Sequence, residues 1–558
     1  MRIVLAQPPW AREAITVSFP YDPGLLGVVR GVPGRKWVAA RHTWTIPATP
    51  ESVAVLRSRM PEGIGLVVDP ALAARLNERT AQLRQADAVK ANGDASPDFR
   101  FLTKPYAHQR AGLDFLLTLR SGALLWEMGT GKTKTAIDYA EALAREAQPF
   151  RVLVICPNTV KRNWGLEIEK HAGHLDYVVP EGSTKERAKQ IGTRRYTILN
   201  CEALSLVPTS VAVLAREWDL VIVDESTRFK TPTAKRTKTL HKVRAKRRII
   251  LTGTPITGKP QDAWAQFEFV EPGLFGSWWA FTDRYLIKDF FGGITGVKAS
   301  GAEELRHRIE SRSYRVLKEH VLDLPPKVYE DRWVEMTGDQ KRAYDQMKRD
   351  LRVAIEGVPD VQAPTILTQL LRLTQITAGL VGTGDRYLWM HDGAKVTELD
   401  TLLREDLEGK QVVVFGIYQR ELEELARRYT RTEFLIDAFP PPIIYGPTPE
   451  KQRQTFIDRF QRGDEQYLFV QSHTGGIGIN LTAAQYAVYT TRGWSLEDYL
   501  QSQDRLHRIG QMGTVTIVHL GAKGTVDEQI AKALTAKQNM ADLLTGDGAR
   551  RLAAEVLR

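Results

Sequence analysis

The sequence predicts an α/β protein with two tandem, doubly wound parallel-sheet lobes and a small N-terminal α+β module. From about residue 100 to 270, runs that are almost entirely apolar alternate with helical patterns, and the same rhythm returns after about residue 410. Strands that are buried on both faces of a parallel sheet have this continuously apolar character. Residues 1–95 differ, because they are rich in Pro and Trp and carry short segments of alternating polarity.

The apolar runs are the strand candidates of the two lobes. Those of the first lobe are ALLW, RVLVIC, YTIL, LVIV and RIIL, and those of the second are VVVFG, YLFVQ, YAVYT and TVTIVHL. We place the module at 1–95, the first lobe at 96–325, and the second lobe, with its C-terminal helices, at 326–558. An aromatic-rich, charged insertion at 271–325 interrupts the first lobe. The segment ANGDASPD has the composition of a flexible join between the module and that lobe.

Composition narrows the class of protein. The net charge of +11 and the pI of about 9.4 suit a polyanionic partner. Cys156 and Cys201 are the only cysteines, which excludes a disulfide framework or a zinc finger and fits a reducing cytoplasm. No run approaches the roughly 18 apolar residues of a membrane helix, and MRIVLAQPPW lacks the apolar core of a secretory signal. We therefore expect a cytoplasmic protein with no membrane partner.

The segment ALLWEMGTGKTKTAIDYAEAL has the strand–loop–helix order of a nucleotide site. Its glycines allow backbone N–H groups to face a phosphate, and the helix that begins near Lys132 adds its positive end. Lys132 would reach the β- and γ-phosphates of ATP, and the Thr133 hydroxyl would bind Mg²⁺. Trp126 stands where the strict pattern has its first glycine, so the alternative is a glycine-rich turn before a surface helix. The predicted phosphate-binding residues are Gly129, Thr130, Gly131, Lys132 and Thr133.

Two adjacent acids, Asp224 and Glu225, follow directly after the apolar run LVIV. Ligands of open α/β sheets lie at the carboxyl ends of the strands, so we expect this pair beside the phosphate loop. We assign Mg²⁺ coordination to Asp224 and orientation of the attacking water to Glu225. Two solvated acids at a strand end are the alternative, and only the pairing with Lys132 makes the pattern specific. Thr252 and Thr254, after a third strand, could sense the same site.

The order of phosphate loop, acid pair, TGTP and QSQDRLHRIGQ resembles helicase superfamily 2, and most closely its Swi/Snf-type DNA translocases. The likeness covers roughly residues 100–540 and includes FLTKPYAHQRAGLDFLL, VLVICPNTVKRNWGLEIEK, VVVFGIYQREL, FVQSHTGGIGINLTAAQYAVYTTRGW and GTVDEQI. It implies RecA-like lobes and DNA-dependent ATP hydrolysis with Mg²⁺. It also implies that Gln109 reads adenine and that Gly478 contacts the nucleotide. Two departures put the coupling of hydrolysis to DNA in doubt: Thr227 replaces the usual histidine, and TGTPITGKP lacks the usual Gln-Asn pair.

The segment QSQDRLHRIGQ, residues 501–511, predicts a helix that carries two neighbouring arginines. Ser495 is a suitable N-cap and Gly510 would end the helix, so Arg505 and Arg508 would share one flank. The resemblance implies that both enter the cleft between the lobes as arginine fingers on the γ-phosphate. The alternative is an ion-paired surface helix.

The resemblance also implies that a nucleic acid tracks across both lobes through contacts to its phosphates. A dense basic run, KTPTAKRTKTLHKVRAKRR at 230–248, follows the acid pair, and a solvated helix face is its alternative explanation. His473 and His507 could instead be structural histidines. The candidate nucleic-acid contacts in the lobes are Lys161, Arg162, Asn163, Ser472, His473, Thr474, Gly475 and Gly476.

The N-terminal segment VSFPYDPGLLGVVRGVPGRKWVAARHTWTIPATPESVAVL resembles the HARP module that precedes the motor of annealing helicases. Trp37 and Trp44 would stack on the bases of a DNA junction or single strand. The alternative is a small β-rich domain whose tryptophans belong to its core. The basic residues interleaved with the tryptophans are Arg30, Arg35, Lys36 and Arg41.

These patterns predict an ATP- and Mg²⁺-dependent motor that moves on double-stranded DNA and anneals strands or remodels forks in repair or replication. We expect a monomer from a bacterial or phage-infected cell, because the chain lacks the large insertions and histone-reading modules of chromatin remodellers. We also expect residues 1–95 to select the DNA and to be dispensable for ATP hydrolysis. The alternatives are a strand-separating DNA or RNA helicase, and a non-motor DNA-binding scaffold with a vestigial ATP site.

Overall fold

The chain divides into two compact units, of which one contains Met1–Val321 and the other Leu322–Asn539. The domain boundaries that the sequence analysis places at 95/96 and 325/326 stay predictions. The computed structural model describes residues 2–8, 14–92, 99–146, 148–253, 260–288, 294–322, 324–336, 338–357, 371–383, 386–430, 440–473, 479–508 and 510–543.

A small mixed sheet occupies the start of the first unit. Its elements are β1 (Arg2–Ala6), β2 (Ala14–Ser18), α1 (Pro23–Arg30), β3 (Lys36–Val38), β4 (Thr43–Pro47), α2 (Pro50–Ser58), β5 (Gly65–Val68) and α3 (Pro70–Asn92). The strand order is β3-β4-β2-β1-β5. Only the pair of β1 and β5 is parallel among these described strands. Both short helices begin at a side-chain N-cap, since Asp22 and Thr49 accept backbone N–H bonds there.

A seven-stranded parallel sheet forms the rest of the first unit, in the order β14-β6-β11-β10-β7-β9-β8. Its strands are β6 (Gly122–Trp126), β7 (Val152–Cys156), β8 (Tyr177–Val178), β9 (Tyr196–Asn200), β10 (Glu217–Asp224), β11 (Arg244–Leu251) and β14 (Ser313–Val316). A separate antiparallel pair consists of β12 (Leu286–Lys288) and β13 (Ile294–Val297). The helices are α4 (Ala107–Leu119), α5 (Lys132–Ala144), α6 (Lys161–Ala172), α7 (Thr184–Gln190), α8 (Val207–Leu214), α9 (Lys235–Leu240), α10 (Asp262–Val270), α11 (Trp278–Tyr285), α12 (Ala299–Glu310) and α13 (Lys318–Val321).

The second unit is built on a six-stranded parallel sheet in the order β15-β22-β21-β18-β20-β19. Its strands are β15 (Lys327–Val334), β18 (Val412–Gly416), β19 (Ile443–Ile444), β20 (Tyr467–Gln471), β21 (Tyr486–Tyr489) and β22 (Val515–Ala522), and β16 (Leu380–Thr383) and β17 (Arg386–Trp389) form a hairpin. The helices are α14 (Gly338–Gly357), α15 (Ala394–Thr401), α16 (Gln419–Arg428), α17 (Glu450–Arg462), α18 (Leu496–Gln503) and α19 (Val526–Leu543). None of the helices described in either unit is long and apolar enough to cross a membrane.

Burial of both faces of the parallel sheets explains the apolar runs. In β7, Leu153 and Ile155 belong to one core cluster, whereas Val152, Val154 and Cys156 belong to another. A strand between two cores needs an apolar side chain at every position, which erases the alternation of a half-exposed strand. Each apolar run named above forms a strand, and the predicted fold class of two RecA-like parallel sheets is confirmed.

Three segments differ from the sequence-based expectations. The insertion at 271–325 supplies β14, which pairs with β6 and so belongs to the main sheet. Strand β15 has no apolar run because it lies at the sheet edge with exposed positions. The basic run at 230–248 is not one helix face, since α9 is only six residues long and the run ends inside β11. Pairing of β11 with two neighbouring strands decides its conformation.

Helix α3 anchors the N-terminal part of the first unit in the core of the larger sheet. Ala86 is fully buried in the cluster that contains Leu113 and Leu116 of α4. Lys90, near the end of α3, donates its ammonium to the Glu310 carbonyl oxygen at 2.8 Å. The small sheet is therefore packed onto the larger one through a shared helix.

A cluster of four charged side chains, which we name the Arg312 clamp, joins the same two parts. Arg312 is 0% exposed and donates from Nε and Nη2 to the two carboxylate oxygens of Glu271, each at 3.1 Å. Its Nη1 donates to Glu51 Oε1 at 2.6 Å, which ties in helix α2. Arg79 of α3 donates to Glu271 Oε2, also at 2.6 Å. Loss of one partner from such a buried set leaves an uncompensated charge and costs about 3–5 kcal/mol.

The expectation of a flexibly tethered N-terminal module is therefore wrong for the described residues. ANGDASPD spans 91–98, and residues 93–98 lie outside the described part of the chain. Upstream of it, however, the Arg312 clamp and the apolar face of α3 fix the module by tertiary contacts. The composition of ANGDASPD indicates a polar join. It carries no information about contacts between residues more than 200 positions apart, such as Glu51 and Arg312.

The clamp predicts a pH-dependent stability. Burial raises the pKa of Glu271, but Arg312 and Arg79 outweigh burial and lower it from 4.5 to about 2. A depressed folded-state pKa contributes stability above the unfolded value, and this is lost as the pH falls towards about 2. At about pH 6, Glu271→Gln should therefore lower the free energy of unfolding by about 3 kcal/mol. Urea unfolding followed by circular dichroism should show this difference shrinking as the pH falls.

The matched control for this prediction is Glu303→Gln, which alters an exposed acid on α12. It should change the unfolding free energy little at any pH. An effect of Glu271→Gln that stays constant between about pH 6 and pH 3 would contradict the charge-based origin of the clamp.

Candidate functional site

The loop between β6 and α5 turns tightly at two glycines. Gly129 and Gly131 have φ angles of 78° and 90°, a region that glycine adopts without strain. Gly131 is the N-cap of α5, and a Cβ there would lie 2.1 Å from Gln109 Nε2. Glycine is therefore required at this position. The turn places the positive end of α5 at the loop, as an anion-binding site needs.

Trp126 explains why the first glycine of the strict phosphate-loop pattern is missing. It is the last residue of β6 and is fully buried. Its ring packs edge-on to His108 and Tyr314, with ring centroids at 5.1 and 5.8 Å. A Cβ at Gly112 would come within 2.5 Å of this ring. The strand thus extends to Trp126, and the loop begins only after it.

Lys132 holds its ammonium inside the loop. Its Nζ donates to the Trp126 carbonyl oxygen at 2.8 Å and to that of Glu127 at 3.3 Å, and the residue is only 8% exposed. The register of β6, β11 and β10 brings the loop that holds Lys132 to the same edge of the sheet as the acid pair. Phosphate oxygens of a nucleotide would compete with these carbonyls for the ammonium.

The acid pair stands at the carboxyl end of β10. Asp224 Oδ2 accepts from the Trp164 indole N–H at 2.9 Å, and Oδ1 accepts from the backbone N–H of Glu225 at 3.0 Å. Burial raises the pKa of the Asp224 carboxyl, and the Trp164 bond and the Lys132 charge offset this only in part. Glu225 has a φ of 48° and a ψ of 57°. This left-handed conformation costs a non-glycine residue about 1–2 kcal/mol.

Two side chains of the α4 N-terminus hold the phosphate loop from the other side. His108 Nε2 donates to the Thr130 carbonyl oxygen at 2.8 Å, and Gln109 Nε2 donates to the same oxygen at 3.1 Å. Burial lowers the pKa of His108, so the ring is neutral near pH 7 with its proton on Nε2. Gln109 Oε1 also accepts from the Tyr106 N–H at 3.0 Å. Gln109 thus positions the loop, while its reading of adenine stays a prediction, and His108 is a site residue that the sequence analysis missed.

Asp224 and Thr133 are the residues suited to hold Mg²⁺. A carboxylate offers about four lone-pair sites, and Asp224 uses two of them for Trp164 and Glu225. Burial raises the pKa of Asp224 because it disfavours the charged carboxylate. A cation bound to the remaining lone pairs would balance that negative charge. Thr133 lies half-buried in the first turn of α5. The donor set is therefore the oxygen type that Mg²⁺ prefers.

The residues after the acid pair are tied to helix α10. Ser226 donates its hydroxyl to Gln266 Oε1 at 2.6 Å, and Gln266 Nε2 donates to the Asp262 carbonyl oxygen at 2.8 Å. Both Ser226 and Gln266 are 1% exposed. Gln266 was not predicted from the sequence, although an amide among the many apolar residues of DAWAQFEFV can signal a specific polar partner.

The sequence analysis names three threonines near this site, and the structure describes two of them. Thr252 follows β11 and is fully buried, and its backbone N–H donates to the Leu124 carbonyl oxygen at 3.1 Å. Thr227, which replaces the usual histidine, is 2% exposed in a short turn after the acid pair. Thr254 lies outside the described residues. A sensing role for Thr252 and Thr254 stays a prediction.

In the second unit, helix α18 ends before the two arginines, contrary to the prediction. Ser495 is its N-cap as expected, because its hydroxyl accepts from the Asp498 N–H at 3.2 Å. The helix ends at Gln503, and residues 504–508 form turns. Arg505 and Arg508 therefore do not share the flank of one helix.

Tertiary hydrogen bonds explain the early end of α18. The Leu481 N–H donates to the Arg505 carbonyl oxygen at 3.0 Å. Gln511 Nε2 donates to the Leu506 carbonyl oxygen at 3.2 Å and also reaches two carbonyls of the loop before β21. These bonds occupy carbonyls that a continuing helix would use for its own N–H groups.

Several residues of QSQDRLHRIGQ have structural partners. His507 is 7% exposed with Nε2 bonded to the Pro325 carbonyl oxygen at 2.8 Å, so the structural interpretation of this histidine is favoured. Gln503 Oε1 accepts from the Tyr329 hydroxyl at 3.0 Å. Arg505 is 5% exposed, whereas Arg508 is half-buried and donates to the Ile479 carbonyl oxygen at 3.4 Å. Their contact with a γ-phosphate stays a prediction.

The predicted nucleic-acid contacts after β20 fall into two groups. Ser472 is 7% exposed and its hydroxyl donates to the Gly416 carbonyl oxygen at 3.2 Å, so it is not presented to solvent. His473 is exposed, and its bond to Asp498 at 3.0 Å raises its pKa. The other predicted residues, Thr474, Gly475, Gly476 and Gly478, lie outside the described part of the chain.

The predicted contacts in the first unit are more accessible. Arg162 and Asn163 are exposed and Lys161 is half-buried in the first turn of α6. Trp37 is 48% exposed on β3 and pairs across the hairpin with Trp44, with ring centroids 5.3 Å apart. Trp44 is half-buried against the core of the small sheet. Only Trp37 of the two therefore offers a largely open ring.

The GTVDEQI segment contributes a buried ion pair that the sequence analysis did not foresee. Asp527 accepts from the Lys395 ammonium at 2.9 Å, and both side chains are less than 10% exposed. Asp527 also accepts from the Thr377 hydroxyl and the Ala522 N–H. This acid therefore joins α19 to α15 and to β22.

Family models match two consecutive parts of the chain. The SNF2-related domain matches residues 108–379, and the helicase conserved C-terminal domain matches residues 394–510. The first match contains the phosphate loop and the acid pair, and the second contains both arginines.

Curated relatives and a solved structure resemble most of this chain. The putative ATP-dependent helicase/translocase YwqA of Bacillus subtilis is 26% identical over 80% of this chain and 49% of its own. The DNA annealing helicase and endonuclease ZRANB3 of Bos taurus is 27% identical over 83% of this chain and 42% of its own. The chain thus spans less than half the length of these relatives. The Sulfolobus solfataricus SWI2/SNF2 ATPase core in complex with dsDNA is 25% identical, with 81% of this chain and 96% of that chain covered and a TM-score of 0.40.

The two domain matches follow the same order as the two parallel sheets, and together they include the phosphate loop, the acid pair, TGTP and both arginines. This chain therefore contains an SNF2-related domain followed by a helicase conserved C-terminal domain.

Proposed function

We propose that this chain is an ATP-driven motor that moves along double-stranded DNA. The observation that carries the proposal is that the Lys132 loop and the acid pair, with its left-handed Glu225, follow strands of one parallel sheet at the same carboxyl edge. Strained backbone conformations of this kind cluster at functional sites. The two domain matches support the proposal, and so does the relative YwqA, which is named as a putative ATP-dependent helicase/translocase.

The side chains of the site divide the work of phosphoryl transfer. Lys132 and the loop N–H groups bind the β- and γ-phosphate oxygens of ATP, and Glu225 orients the attacking water. Bound Mg²⁺ supplies charge neutralisation on the phosphates, and Thr133 and Asp224 are the residues that would hold it. Arg508, together with Arg505, stabilises the negative charge of the transition state. A scaffold with a vestigial ATP site would not need this complete set.

Double-stranded DNA is the track in this proposal. The exposed Arg162 and Asn163 begin a helix that follows a carboxyl strand end, which suits contacts to phosphates without base reading. The net charge of +11 favours a polyanion, and the relative ZRANB3 is named as a DNA annealing helicase. Strand separation by a DNA or RNA helicase is the competing activity.

We further propose that the N-terminal small sheet holds single strands or junctions, so that the motor anneals strands or reverses forks. The exposed Trp37 offers a stacking surface, and its neighbours Arg35, Lys36 and Arg41 are exposed cations. Base stacking on an aromatic ring together with backbone attraction is the usual basis of single-strand binding.

A panel of ATPase assays tests the motor proposal. Turnover should rise most with duplex DNA, less with single-stranded DNA and little with RNA. Displacement of a third strand from a triplex should then report movement along the duplex. Stimulation by RNA alone, or no hydrolysis with any nucleic acid, would contradict the proposal.

Lys132→Ala should lower the DNA-stimulated kcat at least about 10²-fold, because the ammonium contacts phosphate oxygens in the transition state. Steady-state ATPase assays measure this, and the melting temperature should change little. Lys170→Ala, an exposed lysine on α6, is the matched control and should keep wild-type turnover. Near-native turnover by Lys132→Ala would refute the assignment of this loop.

Arg508→Ala should retain ATP binding but lose hydrolysis by about 10³–10⁵-fold, the contribution of an arginine finger. Fluorescent-nucleotide titration and single-turnover hydrolysis separate the two effects. The control is Arg420→Ala, which removes an exposed arginine of α16. If binding and turnover fall together, Arg508 supports the fold and not the chemistry.

Trp37→Ala should weaken single-strand or junction binding by about 1–3 kcal/mol, the value of one stacked base. Strand-annealing and fork-reversal assays should slow accordingly, with no change in melting temperature. Trp279→Ala removes another exposed tryptophan, 75% accessible on α11, and should leave DNA binding unchanged. Equal DNA binding by the Trp37 variant and the wild type would remove the small sheet from the DNA path.

A further inference from the structure

Helix α10 contacts the residue that follows the acid pair through the side chain of Gln266. Gln266 Oε1 accepts from the Ser226 hydroxyl at 2.6 Å, and Ser226 is the residue that follows Glu225. Both partners are 1% exposed, so water does not replace this bond. Gln266 Nε2 is used within the helix, on the Asp262 carbonyl oxygen at 2.8 Å. The amide is thereby fixed in orientation, with its oxygen towards Ser226.

This bond acts on a strained point of the backbone. Glu225 has a φ of 48°, which a non-glycine residue keeps only when its surroundings hold it. The Asp224 carboxylate holds the Glu225 N–H on one side at 3.0 Å. Gln266 holds the next residue on the other side through Ser226. These two bonds, together with the bond from the Arg228 N–H to the Glu225 carbonyl oxygen at 3.0 Å, hold the backbone at Glu225.

The other end of α10 belongs to the Arg312 clamp. Glu271 is the C-cap residue of α10, with its N–H bonded to the Phe267 carbonyl oxygen at 2.9 Å. Its carboxylate accepts from Arg312, which also binds Glu51 of α2. Gln266 and Glu271 are five positions apart, which corresponds to about 7.5 Å of helical rise. One short helix thus carries Gln266, which contacts Ser226, and ends at Glu271, which belongs to the Arg312 clamp.

A second seam supports the same helix. A Cβ at Gly276 would lie 2.3 Å from the Gly34 nitrogen, so the two backbones touch directly. Gly34 precedes β3, which carries Trp37. Trp264 of α10 donates its indole N–H to the Gly276 carbonyl oxygen at 3.0 Å. The small sheet therefore contacts α10 through its clamp and through this glycine seam.

We propose that Gln266 is a positioning residue for Glu225, and that the docked N-terminal small sheet fixes α10 in the place where Gln266 performs this role. The inference rests on the proposed ATPase function. It makes ATP turnover depend on residues 2–92, against the expectation that this part is dispensable for hydrolysis. The small sheet is then a structural component of the motor in addition to a DNA-binding surface.

The first test is a double-mutant cycle in the full chain. Gln266→Leu and Ser226→Ala should each lower kcat by about 10- to 100-fold, the effect of a small displacement of a catalytic group. The KM for ATP should stay within about twofold, because the phosphate loop is untouched. The double variant should be no slower than the slower single variant, because both changes remove one bond. Unchanged kcat in the single variants, or additive losses in the double variant, would overturn the role of Gln266.

The second test asks whether the clamp acts through α10. Glu51→Gln keeps the shape of the side chain and removes its charge, and it should lower kcat about 3- to 10-fold with an unchanged KM for ATP. In the Gln266→Leu background the same change should have little further effect. An equal loss in both backgrounds, or no loss in either, would overturn the transmission through α10.

Controls distinguish a loss of folding, a loss of catalysis and a failure of the proposed ATPase function. Gln190→Leu removes a different amide, which bonds Glu181 near α7, and should keep wild-type kcat. Melting temperatures identify variants that lose structure, and Ser226→Ala, the smallest change, decides the matter if Gln266→Leu does not fold. A wild-type chain without ATPase activity would refute the proposed function itself, and the inference with it. Active wild type with unaffected Ser226→Ala would refute the inference alone.

Discussion

Parallel pairing of β6, β11 and β10 is the constraint on which the rest of the site depends. The register aligns Asp224 with Leu251 and Leu251 with Leu124, so β10 and β11 end at one level and β6 ends two residues beyond it. The phosphate loop leaves β6 and the acid pair leaves β10 at that edge. Lys132 and Asp224 are 92 residues apart in the chain (224 − 132). The pairing of the three strands brings the two segments that contain them to the same edge of the sheet. Without this register, the phosphate loop and the acid pair would not meet at one edge of the sheet.

The site is held by side chains that do not themselves perform chemistry. His108 and Gln109 fix the phosphate loop through the Thr130 carbonyl, and Gln266 reaches the acid pair through Ser226. Such supporting bonds set positions to fractions of an ångström, which is the scale on which catalysis is sensitive.

The Arg312 clamp changes how the N-terminal part of the chain is understood. Its composition and its aromatic residues describe an accessory that binds DNA. Its buried charges indicate a structural component. Its removal would take Arg79 away from Glu271 and Glu51 away from Arg312. Because isolated buried charges are costly, truncation near residue 95 would alter the larger sheet as well as remove the smaller one.

The sequence by itself determined the apolar strands, the phosphate loop, the acid pair and the family, because each is a local pattern with a local physical cause. Only the tertiary structure decided where helix α18 ends, since Leu481 and Gln511 take the carbonyls that a longer helix would use. It also decided that β14 completes the main sheet and that Gln266 and Arg312 have specific partners. These outcomes depend on contacts between distant residues, and the free energy of such contacts is not encoded in any short stretch of the chain.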